Sequence, residues 1–120
     1  MKTEQWKKHN DKYAVSSWGR FYNLETKKFI KGHLHQSNGG TYRRVKFGEL
    51  RVMAHVLVAY YFKIPPKFFV LGGYHSWVVN HLDGNTLNNN ENNVEFSTQS
   101  RNVSHWHLLK KGPSFEIGLY

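Results

Sequence analysis

The chain has 120 residues, 17 Lys and Arg against 8 Asp and Glu for a net charge of +9, and no cysteine. One domain with a modest core is the expectation at this length, and the missing thiols exclude disulfide frameworks, cysteine nucleophiles and Cys-based zinc sites, so any metal must be held by nitrogen and oxygen and no structural zinc is expected. No apolar run approaches membrane-spanning length, and residues 1–11 are polar where a signal peptide would be apolar; the expectation is a soluble, cytoplasmic protein without a membrane partner.

The basic excess is uneven. Residues 1–51 carry 12 basic and 4 acidic side chains, whereas residues 52–120 carry 5 and 4. Such a field suits a polyanion, because each neutralised phosphate releases condensed counterions; a merely solubilising surface is the alternative.

In chain order, Tyr13–Ser16, Gly19–Leu24, Phe29–His35, Thr41–Phe47 and Leu50–Ala54 are short aromatic or β-branched runs broken by Gly, Ser and Asn, which predicts an antiparallel β-meander. The turn "SNGG" (residues 37–40) separates the middle runs. Around the tight "FGEL" hairpin stand Arg43, Arg44, Lys46 and Arg51, some of which should project from one face of a two-stranded ribbon and meet a phosphate backbone. "HVLVAYYF" (residues 55–62) predicts a short buried helix, with Val56, Ala59 and Tyr60 at spacings of three and four, ended by Ile64-Pro65-Pro66. His55 at its start could touch DNA, but a histidine at a strand-to-helix junction is more often a local hydrogen-bonding residue.

"VVNHLDGNTLNNNENNVEFSTQSRN" (residues 78–102) holds seven asparagines between Asn80 and Asn93. Asparagine amides compete for backbone hydrogen bonds, so the stretch is either a solvated loop or a scaffold that aims His81. Val78–His81 reads as a strand, Asp83-Gly84 as a tight turn, residues 85–93 as an irregular loop, Val94–Phe96 as a returning strand, and Thr98 as the N-cap of a helix to about Lys110. Asn102, four residues after the cap, can face back toward Asn80 and His81. Two amide oxygens beside an imidazole make sense for phosphodiester hydrolysis: neutral histidine accepts a proton from water, and a hard divalent ion accepts oxygen ligands and phosphate. Spacing alone leaves open whether these residues converge. The four tryptophans, Trp6, Trp18, Trp77 and Trp106, are assigned to packing; Tyr42 and Tyr74 have no assignment, and His107 is read as surface.

"NHLDGNTLNNNENNVEF" followed by "TQSRN" resembles the HNH nuclease motif of phage and group I intron homing endonucleases, a ββα-metal (His-Me) finger. "YAVSSWGRFYN" and "HVLVAYYF" resemble the N-terminal segment that accompanies it, so the likeness runs from about Trp6 to His105. It implies an α+β fold: an N-terminal antiparallel meander with a short helix, then the finger. It also implies one domain over 1–120, comprising a basic DNA-contacting region (1–54), helix plus finger (55–110) and a tail (111–120). His81 would be the general base, Asn80 and Asn102 would give side-chain oxygens to one metal that His105 could also approach, and Asn93 would pin the loop. Asp83, Gly84 and Asn85 match the loop signature.

Asn stands at position 80 where many relatives have Asp, which implies weaker metal binding. Many homing relatives also continue into separate DNA-reading modules, whereas "GPSFEIGLY" follows the expected helix here. The expected function is a metal-dependent DNA endonuclease using Mg²⁺, with Mn²⁺ the alternative, that leaves 5′-phosphate and 3′-hydroxyl ends. It would cut one strand per site, so a double-strand break would need a homodimer or sequential nicks. The alternatives are a catalytically silent DNA-binding module and an RNase or nuclease toxin with the same chemistry.

Overall fold

The computed structural model describes residues 3–37 and 39–98. Strands β1 (Trp6–Lys8), β2 (Tyr13–Ser16), β3 (Phe21–Asn23) and β4 (Lys28–Ile30) form an antiparallel sheet in chain order. A second antiparallel sheet joins β5 (His33–Ser37), β6 (Gly40–Phe47) and β7 (Leu50–Met53). Helix α1 (Ala54–Phe62) follows, then the antiparallel pair β8 (Trp77–His81) and β9 (Val94–Thr98), with a 3₁₀ turn at Glu91–Asn93 before the return strand.

The predicted single meander is therefore two sheets. The run Phe29–His35 is divided at Lys31-Gly32, where Gly32 has φ +68° and a Cβ would lie 2.3 Å from the Arg44 carbonyl oxygen. Only glycine allows the chain to pass that close to β6, and the close passage moves the strand from one sheet to the next.

The core joins the two larger sheets and the β8–β9 pair to α1 through Val15, Phe21, Val45, Phe47, Val52, Leu57, Val58, Val79 and Val94. Burying a side chain such as Phe21 or Leu57 stabilises the fold by roughly 1.5–3 kcal/mol. Helix α1 is central, touching β2, β6, β7, β8 and β9. Its buried residues are Ala54, His55, Leu57, Val58 and Ala59, whereas Val56 and Tyr60, expected inside, are half-buried. A helix that is apolar all round has no spacing that singles out one face, and the surrounding strands decide it. It ends at Phe62, where the Lys63 amide donates to the Ala59 carbonyl at 2.9 Å; Pro65 then disfavours a helical conformation at Ile64.

Thr98, expected to cap the last helix, is the final residue of β9. The expected helix beyond it, with Asn102 and His105, and the tail 111–120 lie outside the described residues. No helix among the described residues is long and apolar enough to cross a membrane.

Candidate active site

The asparagine-rich loop is a hydrogen-bonded scaffold built around one carboxylate. Asp83 accepts from the Asn85 amide at 2.7 Å, from Asn93 Nδ2 at 2.8 Å and from Asn88 Nδ2 at 2.9 Å. Asn93, buried, also accepts from the Asp83 amide at 2.9 Å and donates to the Asn88 carbonyl at 2.9 Å, tying both ends of the loop together. Asn85 and Asn90 close short turns by accepting from Leu87 and Asn92 amides, each at 3.0 Å. The local bonding that makes asparagine a poor strand former here replaces regular structure. Asp83 is held below the usual carboxylate range, chiefly by the Asn88 hydrogen bond.

Two outside contacts fix the scaffold. The Thr86 hydroxyl donates to the Thr41 carbonyl of β6, and the Glu91 amide donates to the Ser17 carbonyl at 2.8 Å. Beside Ser17, Gly19 has φ +82°, and a Cβ there would lie 2.7 Å from the Asn89 carbonyl oxygen. The turn after β2 thus presses against the residue that reaches the histidine: His81 Nε2–H donates to Asn89 Oδ1 at 2.9 Å, with both residues buried. That bond holds the ring's proton on Nε2 and leaves Nδ1 as its basic nitrogen. Burial draws the His81 pKa below its ordinary value, opposed by the Asn89 hydrogen bond and the Asp83 charge, so the ring favours the neutral form.

His81 borders a cleft of about 380 Å³ that is also lined by His35, Tyr42, His55, His75 and Asn80. The His55 and His81 ring centroids are 4.5 Å apart, and the Tyr42 ring lies 5.5 Å from His55 and 6.0 Å from His81. Burial raises the Tyr42 pKa, keeping the hydroxyl protonated. His55 is almost fully buried, and burial, with the nearby His81 charge adding to it, lowers its pKa to about 3. Its Nδ1 has no hydrogen-bond partner among the described residues, which departs from the locally bonded histidine expected at that junction.

Asn80 is buried, yet borders the cleft immediately before His81. Its side-chain amide oxygen is of the donor type that a hard cation takes. Among the described residues no group of three or more His, Cys, Asp or Glu could hold a metal. The other two expected donors, Asn102 and His105, lie outside the described residues.

The four basic residues divide. Lys46 pairs with Arg51 and Arg44 with Met53, so strand alternation sets Arg44, Lys46 and Arg51 on one exposed face, the face on which Tyr42 and Met53 reach the cleft. Arg43 has the opposite parity, shared with Val45 and Phe47, and its guanidinium donates to the Lys31 carbonyl. The cationic face consists of three of the four.

His55 and Tyr42, which line the cleft, and Asn89, which bonds His81 from behind, were not singled out as site residues. Asn89 is one of seven asparagines with nothing local to distinguish it; the one signal for His55 was a polar residue opening an otherwise apolar helix.

No family model matches the chain. Curated relatives do. Two uncharacterized HNH endonucleases of Acanthamoeba polyphaga mimivirus are 31% identical over 100 residues, 79% of this chain and 27% of the relative, and 35% identical over 116 residues, 87% of this chain and 26% of the relative. YosQ, an SPbeta prophage-derived protein of Bacillus subtilis (strain 168) named as an HNH homing endonuclease, is 38% identical over 81 residues, 66% of this chain and 40% of the relative. The chain therefore spans less than half the length of each. A solved structure of the HNH homing endonuclease I-HmuI, described as showing DNA binding and cleavage, superposes with a TM-score of 0.65 at 27% identity, over 96% of this chain and 64% of that one. The buried histidine at the end of β8, the asparagine scaffold behind it and these likenesses agree: the chain belongs to the HNH endonuclease family.

Proposed function

We propose that this chain hydrolyses DNA phosphodiester bonds, with His81 as general base. The observation that carries the reading is the 2.9 Å bond from His81 Nε2–H to Asn89 Oδ1, which puts the ring's proton on Nε2 and leaves Nδ1 as the nitrogen that accepts a proton, on a residue that borders the cleft. In the reaction, Nδ1 takes a proton from water as the water oxygen bonds to phosphorus. The bond to the 3′ oxygen breaks, that oxygen takes a proton from solvent, and the products are a 5′-phosphate and a 3′-hydroxyl.

Asn80, with Asn102 and His105, would hold one divalent cation, Mg²⁺ in the first instance. When bound, the cation offsets negative charge growing on the leaving oxygen. Asn93 holds the loop in shape through Asp83 and Asn88. Arg44, Lys46 and Arg51, exposed on the cleft side of the second sheet, would run along the phosphate backbone.

Nicking of supercoiled plasmid and degradation of structured RNA, each with Mg²⁺ and with chelator, test the reading. Metal-dependent nicking of plasmid is expected. Preferential RNA degradation would move the substrate to RNA, and tight DNA binding without cleavage would make the chain a silent binding module.

A further inference from the structure

We infer that His55 is a second histidine of the reacting site, a neutral hydrogen-bond donor to an oxygen of the substrate phosphate in the cleft it shares with His81. The inference rests on the hydrolytic reading above and adds a residue from a different element. His81 closes β8, whereas His55 is the second residue of α1, with its ring 4.5 Å from the His81 ring. Both border the same cleft.

Packing does not account for a histidine here. The residue is 8% exposed, and its Nδ1 is sealed from solvent without a partner among the described residues. A buried polar atom left unpaired destabilises a fold, so phenylalanine would fill this aromatic niche between Tyr42 and His81 at lower cost. Residues that cost stability concentrate where a protein does its chemistry.

The sealed nitrogen also indicates which group His55 offers. An N–H buried without an acceptor is rarer in folded proteins than an idle lone pair, so the proton belongs on Nε2 and Nε2–H is the donor available to the cleft. Burial keeps the ring neutral, with a pKa of about 3. It therefore donates a hydrogen bond without giving up a proton, and proton transfer is left to His81. A fixed donor aimed at an oxygen that gains charge in the transition state accelerates hydrolysis while adding little to ground-state affinity.

His55→Phe and His55→Gln test this through single-turnover nicking of supercoiled plasmid with Mg²⁺, DNA affinity by fluorescence anisotropy, and melting temperature. The expected result for His55→Phe is a melting temperature at or above wild type, affinity within about twofold, and a nicking rate lower by about tenfold or more. His55→Gln, whose amide N–H can still donate, should retain more rate than His55→Phe. His55→Phe cutting at the wild-type rate would overturn the inference, as would a rate loss in both variants that follows a fall in melting temperature. A wild-type protein that cuts no DNA would instead overturn the hydrolytic reading beneath it.

Discussion

His81 Nε2 and Asn89 Oδ1 lie 2.9 Å apart in the protein interior, joined across the seven residues of loop that separate them. The bond selects which imidazole nitrogen is basic, so with His81 as the proposed base Asn89 is its positioning residue. Asn89→Ala should slow single-turnover nicking on the order of tenfold and leave DNA affinity unchanged. A variant that nicks at the wild-type rate would show that the His81 tautomer is set by something else.

Gly19 supports the same residue from the first sheet, so a change remote in sequence should reach the site. Gly19→Ala places a methyl group 2.7 Å from the Asn89 carbonyl in a left-handed backbone, whereas Gly48→Ala at φ +62° meets nothing within 4 Å. Backbone strain alone costs roughly 1–3 kcal/mol in either variant. Gly19→Ala should therefore lower the melting temperature further than Gly48→Ala and alone reduce nicking beyond its effect on stability; equal behaviour of the two would refute the support.

The cationic face predicts a difference between neighbours. Replacing Arg44, Lys46 or Arg51 with Gln should each flatten the slope of log affinity against log salt by about 0.9, the contribution of one phosphate contact. Arg43→Gln should leave the slope unchanged, because Arg43 lies on the other side of β6, bonded to Lys31. An equal effect from Arg43 would mean that the DNA path crosses both faces.

His55 makes stability depend on pH, and the sign follows from its lowered pKa. Its folded value is about 3 against an ordinary 6.5, so below pH 6.5 the unfolded chain binds a proton that the folded one refuses. The contribution is fully present above pH 6.5 and declines as pH falls toward 3, by about 1.4 kcal/mol per unit. Urea unfolding at pH 7 and pH 5 should show wild type losing about 2 kcal/mol more than His55→Phe between the two. Parallel losses would mean that His55 is protonated in the folded protein.

Much of the site's frame was legible in the sequence, because local chemistry decides it. Val78–His81, the Asp83-Gly84 turn and Val94–Phe96 announce a hairpin through β-branched residues and a turn that needs Gly84 at φ +77°. What depends on distant partners was not legible. Strand β1, three exposed residues, exists through pairing with β2 and the bond from the Gln5 amide to Ser17 Oγ at 2.9 Å, and no apolar alternation marks it. The side on which Arg43 falls depends on the parity of β6, which the hairpin sequence left open. His55 and His81 are 26 positions apart, and only the packing of α1 against β8 brings their rings together.

Proton transfer to His81, with the rest of the surface binding DNA, is checked by single-turnover nicking by His81→Ala measured alongside its DNA affinity. The expected rate is lower by on the order of 10²-fold or more with affinity unchanged. A His81→Ala protein that nicks supercoiled plasmid at the wild-type rate would contradict it.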